Sequence, residues 1–229
     1  AIPKLLDILD LTGAIVTIDA MGCQKDIAGR IRAGGADYVL QLKANHDHLH
    51  QAVQEAFLAR LEAEGTEAVV VPLSVSTSGP EAGHGRTETR TVYAMAVPDE
   101  LAGKENWRDL RTVVMVLRER TVGDKTSEEF SYYLSSLPAD AAALARVIRL
   151  HWTIENTLHW VLDVTFREDA SRVRTGHGAE NLAAVRRLVL SLLKQDDSKG
   201  SLKGKRLRAG WNDDFLLKIL LNPKGIQHA

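Results

Sequence analysis

The sequence predicts an α/β fold that continues into a β-rich middle and a helical carboxyl-terminal part. Three observations carry that expectation. Residues 13–45 read strand, helix, strand; residues 66–137 hold four β-type runs separated by turn residues; from residue 138 apolar side chains recur at helical spacing. The expected divisions are 1–65, 66–137 and 138–229.

In the first division "GAIVTIDA" (13–20) is a short apolar, β-branched run ending at an aspartate, as a buried strand would be. "CQKDIAGRIRAGG" follows with Ile27 and Ile31 four apart and stops at Gly34-Gly35. "DYVLQLKAN" (37–45) is the second strand. So short a βαβ unit makes the strands parallel and the crossover right-handed. It also puts Asp19 and Lys43–Asn45 at one carboxyl edge, which ligands favour in open α/β sheets. A helix then runs from about His48 to Glu64, with Leu49, Val53, Phe57 and Leu61 at spacing four.

The middle runs "EAVVVPLSVSTS", "RTETRTVYAMAV", "LRTVVMVLRERTV" and "EEFSYYLSSL" predict an antiparallel sheet. Pro72 marks an edge or a bulge in the first of them, and "SGPEAGHG" (78–85) reads as a mobile connection. In the last division "ADAAALARVIRLHWTIENTLHWVLDVTF" predicts one long helix. "GAENLAAVRRLVLSLLKQ" predicts a second, with Leu182, Val185, Val189 and Leu192/Leu193 as its apolar face. "DDSKGSLKGKRLRAG" reads as a basic linker, and "NDDFLLKILLN" as a final helix capped by Asn212 or Asp213.

Apolar content of 45% supports a substantial core. Cys23 is the only cysteine, which excludes a disulfide framework and fits a reducing cytosol; a small near-core residue is expected there rather than a nucleophile. No apolar run approaches the ~20 residues of a membrane span, and no secretory leader is visible, so no membrane partner is expected. A start at Ala1 rather than Met points to a piece of something longer. The net charge of −1 hides an asymmetry: residues 141–210 hold 13 basic against 7 acidic side chains, and the rest 16 against 23. A basic region late in the chain suits a polyanion, and equally a set of solvated helix faces.

The most specific stretch is "HWTIENTLHW" (151–160). His151, Glu155 and His159 recur every four residues, Asp163 continues the series, and Trp152 and Trp160 flank it. On a helix these four share one slowly drifting face, opposite Ile154, Leu158, Val161 and Leu162. Three readings are open. One is a solvated face of His/Glu pairs. A second is a zinc site, although the spacing is not H-E-x-x-H. The third is a Mg²⁺ carboxylate site joining Asp19 and Glu155, because hard cations take oxygen ligands and few carboxylates suffice when waters and substrate phosphates supply the rest.

"GAIVTIDAMGCQKDIAGRI", "YVLQLKANH", "HGRTETR", "HWTIENTLHWVLDVTFREDASRVRTGHGAENLAAVRRLVL" and "AGWNDDFLLKIL" together resemble an insertion-sequence DDE transposase, in the branch containing the H-repeat-associated proteins. The resemblance covers nearly the whole chain. It implies an RNase-H-like catalytic fold, incomplete at its amino end, with a β-rich insertion before the last catalytic helix. It implies three acidic ligands for two Mg²⁺ ions, with Mn²⁺ able to substitute. The second acid maps to Asp19 and the third to Glu155; nothing before Ala14 resembles the first. The expectation is therefore the carboxyl-terminal part of such an enzyme, inactive alone. The wider class surrounds its glutamate with Y-x2-R-x3-E-x6-K, where this chain has Ile148, His151, Glu155 and Leu162, so only the glutamate matches.

The implied reaction is hydrolysis at transposon ends followed by strand transfer into target DNA. Two cations about 3.5–4 Å apart activate the attacking oxygen and stabilise the leaving one. Double-stranded DNA is the implied partner, a homodimer the implied complete assembly, and the bacterial cytosol and nucleoid the implied place. Lys43, Asn45, His84, Arg86, Arg90, His151, His159, Arg167, Arg172 and Arg174 are the candidate DNA contacts. For Arg86 and Arg90 a cross-strand salt-bridge ladder with Glu88 is the alternative. Lys203, Lys205, Arg206 and Arg208 read as a phosphate clamp or a soluble linker. The alternative for the whole chain is a catalytically silent remnant that at most binds DNA.

Overall fold

A computed structural model describes residues 2–63, 71–83 and 85–221, leaving aside the side chains of Glu155 and Asn156. Its described part is mixed α/β, with a six-stranded sheet and seven α-helices, none long and apolar enough to cross a membrane. The chain falls into two compact units, Ala1–His151 and Trp152–Ala229.

The first unit opens with α1 (Ile2–Leu6), β1 (Ile15–Ile18), α2 (Lys25–Ala33), β2 (Asp37–Leu42) and α3 (Asp47–Glu62). β1 and β2 are parallel, with Ile15 opposite Asp37 and Ile18 opposite Leu40, as the βαβ reading requires. Four long strands follow: β3 (Leu73–Gly83), β4 (Arg86–Ala96), β5 (Thr112–Val122) and β6 (Lys125–Ser135). They are antiparallel, as expected. They are not a separate sheet, however: β6 returns to pair with β2, giving one sheet in the order β1-β2-β6-β5-β4-β3. Buried serines secure that joint. Ser135 Oγ donates to the Tyr38 carbonyl at 2.9 Å, and Ser136 Oγ accepts from the Tyr38 amide at 2.9 Å.

Alternation of side chains sorts the central strands between two cores. Tyr38, Leu40, Leu42, Val113, Met115, Tyr132 and Leu134 pack with Ile27 and Ile31 of α2 and Val53 and Phe57 of α3. Val39, Val114, Val116 and Tyr133 face the other way, against Ala141, Leu144 and Ile148 of α4 (Ala141–Ile154). A strand covered on both faces reads as an almost continuous apolar run, which is why "DYVLQL" and "TVVMV" hardly alternate. Asp140 caps α4, its Oδ1 accepting from Ala142 and Ala143 at 3.0 and 3.1 Å.

Three local expectations need correction. Residues 78–83 are part of β3, not a connection. The ladder shifts register between Ser78 and Glu81, where Gly79 sits at φ +112 and an added Cβ would meet the Glu88 carbonyl oxygen at 2.8 Å. The bulge absorbs Gly and Pro80, residues that otherwise signal a turn. The long helix does not stay α-helical: after Ile154 it continues as π-helical turns at Glu155–His159 and Val161–Thr165. With i→i+5 bonding, residues spaced by four no longer line up. Finally, the supposed linker contains α6 (Leu202–Ala209), capped by Ser201 Oγ accepting from the Gly204 amide at 3.1 Å.

The second unit also contains α5 (Gly178–Gln195) and α7 (Asp213–Leu221). Asn212 Oδ1 caps α7 through the Phe215 amide at 2.7 Å, one of the two expected caps. Leu193, Phe215 and Ile219 form one core and Val161, Leu162 and Leu190 another. α5 thus buries Leu190 and Leu193, while Val185 of its expected apolar face is half exposed. Asp196, with its side chain only 3% exposed, accepts from Lys218 Nζ at 2.8 Å and Lys205 Nζ at 3.1 Å and also from Ser198 Oγ. Those bonds, Lys218's first, hold its carboxyl well below the ordinary carboxylate range.

Two outcomes follow from these contacts. Leu134→Ala, at the fully buried β2–β6–β5 junction, is expected to cost about 2–5 kcal/mol in denaturant unfolding. Because the folded carboxyl of Asp196 titrates below its unfolded value of about 3.9, its stabilisation is complete above that pH and lost as the pH falls further. Thermal melts of Asp196→Asn should therefore show a flatter dependence on pH below about 4 than wild type does.

Candidate functional site

The βαβ unit ends both its strands at the same edge. Asp19 leaves β1 there, and Lys43–Asn45 leave β2. The two loops touch: Asn45 Nδ2 donates to the Ala20 carbonyl at 2.9 Å, and His46 Nε2 lies 2.6 Å from the Cys23 carbonyl oxygen. Lys43 and Asn45 are exposed. Cys23 is wholly buried, and burial pushes its thiol up to about 12, so it stays protonated and serves as packing.

Thr17 and Asp19 are two residues apart in extended chain and so project to the same side of β1. Thr17 lies in register with Val39, which packs towards α4. The last turn of α4 brings His151 to both of them. Its Nδ1 is 2.9 Å from Thr17 Oγ1, and its Nε2 is 2.9 Å from Asp19 Oδ1. The His151 side chain is 19% exposed and that of Asp19 64%. A carboxylate only accepts, so Nε2–H donates to Asp19 and, in the neutral ring, the Thr17 hydroxyl donates to Nδ1. Asp19 Oδ2 has no hydrogen-bond partner among the described residues, and Asp19 does not cap the 3₁₀ turn Ala20–Gly22 with its side chain.

A charge ladder crosses β3 and β4 and reaches α4. Arg149 Nη2 lies 2.7 Å from Glu81 Oε2, Arg90 Nη1 lies 3.6 Å from the same oxygen, Arg90 also binds Glu88, and Arg86 Nε is 3.7 Å from Glu88. Arg86 and Arg90 are thus paired within the fold. His84 lies outside the described residues. Sequence reasoning missed Glu81 and Arg149 because residues 78–85 read as a connection. It missed Thr17 although the spacing of two to Asp19 was available as a signal.

Glu155 occupies the first π-helical turn of the second unit, and its side chain lies outside the described residues. His159 is exposed. Arg172 and Arg174, with Asp169, Ala170 and Ser171, line an open hollow of about 580 Å³. Arg174 Nη1 donates to the carbonyls of Ser171 at 2.9 Å and Val173 at 2.8 Å, and exposed Arg167 holds a positive φ of 53°. Three of the four cations of the expected clamp work inside this unit: Lys205 on Asp196, Arg206 5.7 Å from the Phe166 ring centroid, and Arg208 4.2 Å from that of Phe215.

Comparison with known proteins adds a family. The family described as "Transposase DDE domain" matches residues 1–192. YncI of Escherichia coli O157:H7 is 41% identical over 232 residues, covering 96% of this chain and 56% of its own length. The H repeat-associated protein YhhI of Escherichia coli K12 is 35% identical over 226 residues, covering 96% of this chain and 58% of its own. YbfL of the same strain is 36% identical with the same coverage. The names of YncI and YhhI carry the word transposase. The chain spans 56–58% of the length of these relatives. No solved structure matches it.

Proposed function

The chain belongs to the DDE transposase family, and from that premise we propose that it serves divalent-metal-dependent cleavage and strand transfer at transposon ends, on an RNase-H-like fold. The observation that carries this reading is the Asp19 carboxylate, exposed at the carboxyl edge of the parallel pair and, among the described residues, held through one oxygen only. Such a carboxylate is the donor that a hard cation prefers, so Asp19 fits a Mg²⁺ or Mn²⁺ site. Asp19 and Glu155 are the proposed metal ligands and catalytic acids. Bound there, two cations supply Lewis acidity for in-line attack of water or a 3′-hydroxyl on phosphorus.

The remaining roles belong to side chains that bind DNA. Lys43 and Asn45, exposed beside the Asp19 loop, are the proposed contacts to a backbone phosphate. Arg167, Arg172 and Arg174 offer guanidinium groups, whose forks match phosphate oxygens. His84, Arg86, Arg90 and His159 are further proposed contacts. The substrate is double-stranded DNA, and two copies of the complete enzyme pair the two ends in the bacterial nucleoid.

A second reading, a silent remnant that binds DNA, draws on one observation: no group of three or more His, Cys, Asp or Glu side chains gathers as a metal site among the described residues. In keeping with it, the 229-residue chain alone is expected not to nick transposon-end DNA in Mg²⁺ or Mn²⁺. Supplying an upstream acidic segment, in cis or as a separate polypeptide, should give nicking that Glu155→Gln and Asp19→Asn each abolish. Robust nicking by the chain alone would show that another acid, such as Asp163, Glu168 or Asp169, completes the site.

DNA affinity is expected to fall steeply with salt, since phosphate contacts release counterions. Replacing both Arg172 and Arg174 by Ala should make the slope of log K against log salt shallower by about 2, roughly 0.9 for each phosphate the arginines neutralise. An unchanged slope in filter-binding titrations would assign both arginines to structure.

A further inference from the structure

We propose that His151 is a positioning residue for Asp19: it fixes the carboxylate rotamer so that one oxygen is held by the protein and the other is presented to the cation. The proposal rests on the reading of Asp19 as a metal ligand and goes beyond it. On sequence alone, His151 stands where the wider class has an arginine and was expected to touch DNA. The geometry assigns its ring differently. Both nitrogens are engaged, Nδ1 at 2.9 Å from Thr17 and Nε2 at 2.9 Å from Asp19, so neither can reach a phosphate without releasing the strand.

The physical argument starts from Asp19's exposure. A carboxylate with 64% of its side chain in solvent samples several rotamers, and each disorders a cation bound to it. His151, at 19% exposure on the last turn of α4, is far better held. Its ring orientation is set in turn by Thr17, on the same side of the same strand. Thr17–His151–Asp19 is therefore a relay of orientation: the sheet fixes the hydroxyl, the hydroxyl the ring, and the ring the carboxylate. Partners of this kind, which hold a metal ligand through a hydrogen bond, typically change metal affinity 10–100-fold when removed.

The test uses the 229-residue chain, Mn²⁺ as the probe read by electron paramagnetic resonance, and ¹⁵N spectra of the histidine rings. Wild type should bind Mn²⁺ and Asp19→Asn should lose it. His151→Ala should weaken binding at least ~10-fold in the folded protein, while His151→Gln, whose amide can still donate to Asp19, should stay near wild type. Thr17→Val, which removes the hydroxyl at constant shape, should weaken binding in the same direction, and Thr17→Ser should restore it. The ¹⁵N spectrum should place the ring proton on Nε2. If His151→Ala misfolds, the Thr17 pair and the spectrum decide alone.

Wild-type affinity in His151→Ala and Thr17→Val, with binding lost in Asp19→Asn, would overturn the positioning role and leave the metal reading standing. Wild-type affinity in Asp19→Asn would overturn the metal reading and the positioning role with it, and no Mn²⁺ bound by wild type would overturn the positioning role in this chain. A neutral ring protonated on Nδ1 would overturn the relay itself, whatever the metal does.

Discussion

Everything in the first unit depends on the pairing of β2 with β6. Among the described strands, β2 alone accepts a parallel neighbour on one side and an antiparallel neighbour on the other. Through it, a short βαβ unit and a long four-stranded meander become one sheet. That sheet has two fully covered faces in its centre, and each face then collects helices: α2 and α3 on one, α4 on the other. Ser135 at the end of β6 and Ser136 just after it bind the Tyr38 carbonyl and the Tyr38 amide, so slipping the joint by one residue would strand polar groups in the core and turn every side chain over.

The parallel pair has a consequence for chemistry. Parallel strands end together, and their ends place two loops side by side at one edge, which the hydrogen bond from Asn45 to Ala20 holds closed. Asp19 stands at that edge. α4 lies on the same side of the sheet as Thr17, and its last turn delivers His151 to a carboxylate 132 residues away in the sequence. The helix then leaves α geometry at Glu155. A π-helical turn is strained relative to α and is frequent at functional sites, which accords with the proposal of Glu155 as a catalytic acid.

The basic character of the carboxyl-terminal region divides according to what each cation meets. Lys205 and Lys218 neutralise a covered Asp196, and Arg206 and Arg208 lie over aromatic rings. Arg208 thereby joins α6 to α7 directly, and Lys205 and Lys218 join them through Asp196. Arg167, Arg172 and Arg174 are exposed instead, and Arg172 and Arg174 line an open hollow. Charge density read from sequence does not make this distinction, because it depends on which carboxylates and rings the fold brings near.

Sequence by itself determined the α/β class, the parallel βαβ unit, the placing of Asp19 and Asn45 at one edge, the burial of Val53 and Phe57, the edge position implied by Pro72 and the Asn212 cap. Each of these follows from local periodicity or local hydrogen bonding, which neighbours in the chain suffice to set. The family, too, was legible in the joint pattern of several segments. Tertiary structure alone decided that the meander joins the first sheet, because strand partners depend on residues about a hundred positions apart, as with Val39 and Ser135. It decided that 78–83 is strand, since a bulge needs the opposite strand to define it. It decided that 201–210 is helix, since Lys205 is stabilised there by an aspartate outside the segment. It brought His151 against Thr17 and Asp19, which its spacing alone did not indicate: helical spacing names the residues that share a face, but only packing says what that face meets.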